Sequence, residues 1–280
     1  MRLPYEVVDV FTETPFAGNP LAVVLDGDDL STEQMQALAK EFNLSETAFP
    51  LRAPDGATYG LRIFTPATEL PFAGHPSVGS ALVLRRLGRI EDGDNVQACG
   101  AGLLPMRLDG DRATLTGGAA TVGEPLDAAP LLAALGLCPD DLAGPSPRWA
   151  GAGIDFVYLL VRPEALGRVR LDVAAVSDVG GAGISLVAWD GTDARVRVFP
   201  GGVGIAEDPA TGAAAVGLGV YLAAAGLVGE GEHRYVVTQG VEMGRPSTLT
   251  CAVTVSAGAA VGVTVSGTAV PIARGEIRIP

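Results

Sequence analysis

The sequence predicts an α+β protein made of two related halves, each wrapping sheet around one long central helix. A repeated motif carries the first part of this prediction. Arg62-Ile63-Phe64-Thr65-Pro66 leads to Ala73-Gly74-His75-Pro76-Ser77-Val78-Gly79, and Arg197-Val198-Phe199-Pro200 leads to Glu207-Asp208-Pro209-Ala210-Thr211-Gly212-Ala213. Each copy runs Arg-x-Phe, a loop, a polar residue before proline, then small residues opening an apolar helix. In this alignment His75 shares a slot with Asp208, and Gly79 with Gly212. The second part rests on counting: short β-branched runs outnumber helical segments and do not alternate with them. Related halves imply a pseudo-twofold protein, with a cleft between the halves and one helix start from each facing it.

In the first half, Tyr5–Phe11 alternates and reads as a strand, and Leu21–Leu25 as another after the turn-rich Pro15-Phe16-Ala17-Gly18-Asn19-Pro20. Ser31 with Gln34 makes a capping box, Met35, Leu38 and Phe42 supply one apolar face, and Asn43 suits a left-handed helix stop. Thr47–Leu51 and Tyr59–Phe64 read as strands. Pro76 fits the first position of a helix that Gly88 stops, with His75 just ahead of it. Val96–Cys99, Leu103–Leu108 and Ala113–Thr116 are further strands.

Gly117–Asp127 lacks strong periodicity and is expected to join the halves, residues 1–120 and 121–280, with a C-terminal strand returning to the first. In the second half Leu131–Leu135 is a short helix stopped by Gly136. Asp155–Val161 is a strand behind Gly151-Ala152-Gly153, an echo of the Gly18 loop, and Leu171–Val176 reads as helical. Ile184–Trp189 and Arg195–Phe199 are strands. Pro209–Ala225 is a long alanine-rich helix closed by Gly226. Tyr235–Thr238, Thr248–Val255, Ala260–Val265 and Glu276–Ile279 complete the strands.

Composition narrows the function. Of 280 residues, 48% are apolar and 18% charged, as in a folded globular protein. A net charge of −13 disfavours nucleic acid and anionic membranes as partners. No apolar run is long enough to span a bilayer, and the opening Met1-Arg2-Leu3-Pro4-Tyr5-Glu6 lacks a signal-type core, so a cytoplasmic location is expected. Three scattered cysteines (Cys99, Cys138, Cys251) and two histidines (His75, His233) form neither a disulfide framework nor a zinc pattern.

Three residues stand out for chemistry. Glu46 lies between a helix end and a strand start, flanked by Leu44 and Phe49. Partial desolvation there would raise its pKa into a range useful for proton transfer, a solvated loop glutamate being the plainer alternative. His75, beside a helix start, would favour its neutral form and orient a substrate or relay a proton. Asp208 before Pro209 is what a helix N-cap prefers, and equally a hydrogen-bond acceptor for substrate. The small residues after each helix start, Gly212-Ala213-Ala214 and Gly74 with Ser77-Val78-Gly79-Ser80, let a ligand reach first-turn N–H groups. Those amides suit a carboxylate or a developing oxyanion. Gln239-Gly240…Gly244-Arg245-Pro246-Ser247 reads as a hairpin turn, or as the carrier of an arginine for a substrate carboxylate.

Taken in order, Phe16-Ala17-Gly18-Asn19-Pro20, Asn43-Leu44-Ser45-Glu46-Thr47, Phe64-Thr65-Pro66…Glu69, Gly74-His75-Pro76, Glu207-Asp208-Pro209-Ala210-Thr211-Gly212 and Gln239-Gly240…Gly244-Arg245-Pro246-Ser247 resemble the signatures of the PhzF family of isomerases. Each is weak alone; the ordered set is specific and spans nearly the whole chain. The resemblance implies a diaminopimelate epimerase-like fold of two pseudo-symmetric halves, each a curled, mostly antiparallel sheet around a central helix. It also implies a site between the halves, no metal or organic cofactor, and a homodimer. Glu46 would be the general acid and base. His75, Asp208, Gly74, Ser45, Asn19, Thr211, Gly212 and Ala213 would surround the substrate. In the best-known member that substrate is trans-2,3-dihydro-3-hydroxyanthranilate. This chain carries Ala213 where the family usually has serine, which removes a hydroxyl donor and leaves the backbone amides, so the substrate is not carried over. The epimerase relatives use two cysteines as acid and base, and the matching slots here hold none.

The expected activity is therefore a cofactor-independent isomerisation of a small carboxylate, Glu46 moving a proton between carbons. Two alternatives stay open: an amino-acid or hydroxy-acid epimerase or racemase, and a dimeric binding protein that has lost the reaction.

Overall fold

The computed structural model describes residues 1–201 and 205–280. The chain divides into two compact units, Met1–Thr116 with Ser266–Pro280, and Gly117–Val265.

In the first unit, β1 (Arg2–Val10) and β2 (Asn19–Val24) pair antiparallel. The chain then crosses through α1 (Thr32–Phe42) to β3 (Glu46–Leu51), parallel to β2. β4 (Tyr59–Phe64) returns antiparallel to β3. After the two-residue β5 (Glu69–Leu70) comes α2 (Gly74–Arg86), a second crossover that brings β6 (Gly93–Cys99) parallel to β4. β7 (Gly102–Asp109) and β8 (Arg112–Thr116) follow as antiparallel neighbours. Ala269–Arg278 returns to pair antiparallel with β1.

The second unit repeats this pattern. β9 (Thr121–Pro125) pairs with β10 (Arg148–Gly151), and α3 (Ala128–Ala134) lies between them in sequence. β10 and β11 (Asp155–Leu160) are antiparallel; a crossover through α4 (Pro163–Leu166) and α5 (Val173–Val179) brings β12 (Gly183–Trp189) parallel to β11. β13 (Ala194–Pro200) is antiparallel to β12. A crossover through α6 (Gly212–Ala224) places β14 (Gly231–Gln239) parallel to β13, and β15 (Ser247–Ser256) is antiparallel to β14. Both units thus share one order of pairings: antiparallel, parallel, antiparallel, parallel, antiparallel. β16 (Ala259–Gly267) and β17 (Ala269–Arg278), the strand that returns to the first unit, end the chain.

One helix in each unit is enclosed. α2 is buried from Gly74 to Leu84 and α6 from Gly212 to Ala223. α6 is apolar on every face, as a helix without a solvent side must be. The amphipathic α1 instead covers the outer face of its sheet, Met35, Leu38 and Ala39 packing with Val24, Phe49 and Phe64. Its capping box (Ser31 with Gln34) and left-handed Asn43 stop (φ 50°) are as the sequence predicts. In the second unit α3, α4 and α5 cover β11 and β12 through Leu131, Leu135, Leu166 and Val176 against Leu159 and Leu186.

The helix starts differ from the sequence expectation. α2 begins at Gly74, so His75 lies inside its first turn rather than ahead of it. α6 begins at Gly212, not Pro209. Asp208 is therefore not its N-cap: the Asp208 N–H donates to Val198 O (3.0 Å), which holds Asp208 beside β13. The repeat register shifts accordingly. Arg62 and Arg197 are 135 residues apart, whereas the two 13-residue helices, and Glu69 and Glu207, are 138 apart. The second copy holds three more residues between strand and glutamate. The fold equivalent of His75 is thus Ala213, and that of Gly79 is Gly217; the shared slot of His75 and Asp208 is an artefact of aligning the two Pro residues. Packing supports this register. A Cβ on Gly79 would come within 2.6 Å of Leu21 and 2.7 Å of Val10, and one on Gly217 within 2.3 Å of the Tyr158 hydroxyl and 3.2 Å of Gly151. At each glycine the enclosed helix lies too close to its sheet to admit a Cβ without displacement.

The segment Gly117–Asp127, read as a joint, contains β9, whose mostly exposed residues lack the alternation that betrays a strand. The helix expected at Leu171–Val176 is α5, two residues later, because the Asp172 carboxylate caps Ala175 N–H (3.1 Å).

Gly79→Ala should cost about 1–3 kcal/mol, since Leu21 and Val10 are on strands that cannot retreat freely. Denaturant unfolding of the variant checks this, and an unchanged midpoint would contradict the packing described.

Candidate active site

The first unit brings Glu46, His75 and Asn19 together. Glu46 opens β3, three residues after Asn43 turns the chain out of α1 with its N–H on Ala39 O (3.1 Å). Pairing of Leu21 with Glu46 between β2 and β3 sets the register. The Glu46 side chain is 15% exposed and its Oε2 lies 3.5 Å from His75 Nε2. His75 is buried in the first turn of α2, and on its other side Asn19 Nδ2 approaches Nδ1 at 3.2 Å. Burial holds the His75 pKa far below its ordinary value, at about 3, so the ring is neutral in ordinary buffers.

The loop before Asn19 is firmly held. Phe11 N–H donates to Thr268 O (2.8 Å), the Thr268 hydroxyl donates to Thr12 O (2.9 Å), and Phe16 N–H donates to the Asp9 carboxylate (2.7 Å). Gly18 has φ +66°, and a Cβ there would stand 2.4 Å from Val10 O. No larger residue fits that turn. Asn19 itself is fully buried at the start of β2. Gly74 is the first residue of α2, and Ser45 is the half-buried residue before Glu46.

In the second unit Asp208 is buried, and it is tied to the residues that open α6. The Thr211 hydroxyl donates to the Asp208 carboxylate. Gln239, buried at the end of β14, grips this turn three times. Its amide donates to Asp208 O (2.7 Å) and to Thr211 Oγ1 (3.0 Å), and its oxygen accepts from Thr211 N–H (3.1 Å). The first-turn N–H groups of Gly212, Ala213 and Ala214 follow, with no carbonyl one turn earlier in the helix to receive them. Arg245, the residue considered for a substrate carboxylate, is half-buried in the turn after β14, where its N–H donates to Gly240 O (2.9 Å).

Two repeated devices escaped the sequence reading. Arg62 grips Glu69 through two 2.7 Å bonds and lies 5.1 Å over the Phe64 ring; Arg197 grips Glu207 at 2.8 and 2.6 Å and lies 5.2 Å over Phe199. Each two-pronged pair clips the loop before an enclosed helix to the strand before that loop. The Arg62 bonds hold the Glu69 carboxyl below its usual range. The second device is a buried glutamine on the strand after each helix. Gln239 has its counterpart in Gln97, which accepts from the Tyr59 hydroxyl (3.0 Å) and donates to Ser77 Oγ (2.9 Å) in the first turn of α2. The repeated Arg-x-Phe was visible in sequence. Its glutamate partners follow the 138-residue offset of the helices and not the offset at which the two prolines align, and Gln97 and Gln239 follow neither.

Among the described residues no group of three or more His, Cys, Asp or Glu side chains is arranged to hold a metal, and no helix is long and apolar enough to cross a membrane.

Comparison with known proteins identifies the family. The phenazine biosynthesis-like proteins (PhzC-PhzF) match residues 8–275. An uncharacterized isomerase of Mesorhizobium japonicum is 38% identical, with 98% of each chain covered. The trans-2,3-dihydro-3-hydroxyanthranilate isomerase of Pseudomonas fluorescens is 35% identical, again with 98% of each covered. The crystal structure of a PhzF-family phenazine biosynthesis protein from Bacillus anthracis superposes with a TM-score of 0.90, at 25% identity and complete coverage of both chains. A curled sheet around an enclosed helix, repeated in both units, together with these matches, makes the chain a member of the PhzC-PhzF family and an isomerase.

Proposed function

We propose that this isomerase moves a proton between two carbons of a small carboxylate substrate, with Glu46 as both base and acid and with no cofactor. The observation that carries the reading is the Glu46 carboxylate, largely buried and 3.5 Å from a histidine that burial keeps neutral. A charged imidazolium at that distance would hold the carboxylate too acidic to take a proton from carbon. A neutral ring orients the carboxylate without placing a full positive charge beside it. The 3.5 Å contact is longer than an ordinary hydrogen bond, as is common before substrate arrives.

In the proposed step a carboxylate oxygen of Glu46 takes the proton from an acidified C–H bond. The electron pair left on carbon spreads through the adjoining unsaturated system toward the substrate carboxylate. The protonated Glu46 then delivers the proton to another carbon, and a double bond shifts between them. No oxidant or reductant enters. Asp208, Thr211, Gly212 and Ala213 are assigned to substrate binding, through the Asp208 carboxylate and the first-turn amides of α6, and Ser45, Gly74 and Asn19 to binding beside Glu46 and His75. Ala213 offers no hydroxyl, so the contact that a serine there would make to substrate is lost and the family's known substrate is not carried over. A cytoplasmic homodimer is part of the same reading, and gel filtration with light scattering checks the dimer.

Epimerisation at one carbon would normally require a base on each of its faces, and the neutral His75 is poorly suited to be the second.

The test is incubation in heavy water with a panel of cyclic and amino carboxylates, trans-2,3-dihydro-3-hydroxyanthranilate among them, followed by proton NMR. A shifted double bond is expected for at least one of them; inversion of a single stereocentre without bond migration would overturn the isomerisation. Glu46→Gln should keep the fold and lower kcat by roughly 10²–10⁴-fold, and a fully active variant would end the assignment. The neutral His75 also has a cost in acid. The unfolded chain binds a proton near pH 6.5 that the folded chain refuses until about pH 3, so stability falls as pH drops through that window. Between pH 6.5 and 4.5 this group alone should remove about 2 kcal/mol. Urea midpoints of wild type should therefore fall more steeply over that interval than those of His75→Gln.

A further inference from the structure

Glu46 faces one nitrogen of His75 and Asn19 faces the other, and the chemistry of the amide decides what Glu46 meets. The Asn19 Nδ2 group, 3.2 Å from Nδ1, carries two protons and accepts none. Nδ1 must therefore be the bare, accepting nitrogen. With the ring neutral, its single proton sits on Nε2, the atom 3.5 Å from Glu46 Oε2. We propose that Asn19 is a positioning residue that sets the His75 tautomer, so that a neutral N–H is always turned toward the Glu46 carboxylate.

The placement of Asn19 supports this role. It is fully buried at the start of β2, behind a Gly18 turn that admits no other residue. The loop on its other side is pinned by Asp9, Thr12 and Thr268. The amide is therefore presented by a rigid element and cannot swing aside as an exposed asparagine would. The opposite tautomer would put a bare Nε2 against a carboxylate, two acceptors facing each other with no proton between them. A carboxylate so placed must take up a proton from solvent and would no longer be a base. By donating to Nδ1, Asn19 excludes that arrangement. His75 is then a fixed donor, and the proton moved in the reaction is carried by Glu46 alone.

This inference rests on the proposed role of Glu46 for its catalytic meaning, yet its test reads the ring directly. The chain has only two histidines, His75 and His233, so ¹⁵N-histidine labelling yields two ring systems, separated by a His233→Gln variant. Long-range proton–nitrogen correlation spectra of the wild type should show His75 protonated on Nε2 and bare at Nδ1. Asn19→Asp places an acceptor against Nδ1 and should move the proton there, with kcat about 100-fold lower and KM changed by less than about fivefold. Asn19→Ala should leave a mixture of tautomers and an intermediate kcat. A wild-type His75 protonated on Nδ1 would overturn the proposal without need of any variant, and so would an Asn19→Asp ring still protonated on Nε2. An active Glu46→Gln enzyme alongside an Nε2-protonated His75 would sink the proposed function and leave the tautomer assignment standing.

Discussion

A helix with no solvent face has to give up almost every polar side chain. In this protein α2 and α6 are each sealed by the sheet of their own unit. Glycine is needed at the closest approaches, Gly79 against Val10 and Leu21 and Gly217 against Tyr158. Polar groups concentrate in and just ahead of the first turn, where the backbone amides have no helical partner. His75 is there in α2, with Ser77 behind it; Asp208 and Thr211 stand just ahead of α6. The neutrality of His75 is a direct consequence, because a ring in that turn is shut away from water.

Enclosure also explains the paired supports around each helix. The loop that leads into a buried helix has to end at the right height, and an error there would misplace the whole helix. The Arg62–Glu69 and Arg197–Glu207 pairs fasten each loop to the preceding strand, and the guanidinium in each case rests over the phenylalanine two residues on. Gln97 and Gln239 reach across from the following strand to the helix start. These supports are common to both units. The residues they carry are not: His75 in one unit corresponds to Ala213 in the other, and Asp208 lies in the longer loop of the second copy. The repeat preserves the scaffold and varies the chemistry mounted on it.

The electrostatics around Glu46 follow the same logic. In the reaction proposed for it, Glu46 takes a proton from carbon, and a carboxylate with that task needs partners that orient it without neutralising it. A neutral N–H does this, and a buried histidine whose other nitrogen accepts from an asparagine provides one. The support comes from three separate elements, β2, β3 and α2, so the arrangement depends on the sheet register of the first unit rather than on any local motif.

Much of this was legible in the residues alone. The Ser31 capping box, the Asn43 stop and the β-branched run after it placed Glu46 at a helix-to-strand corner, because local backbone preferences decide such boundaries. The doubled Arg-x-Phe announced the repeat, and the ordered motifs pointed to the family. What local pattern could not decide was where each enclosed helix begins. Pro76 and Pro209 both look like first-turn prolines, yet one lies inside its helix and the other ahead of it. The bond from Asp208 N–H to Val198 and the grip of Gln239 settle the matter for α6, and both partners lie in neighbouring strands. Likewise, the meeting of Asn19, Glu46 and His75 arises from sheet pairing, which brings together residues up to 56 positions apart. Short-range propensity determined the elements and the candidate residues; only long-range register, fixed by packing around a buried helix, decided which of them meet.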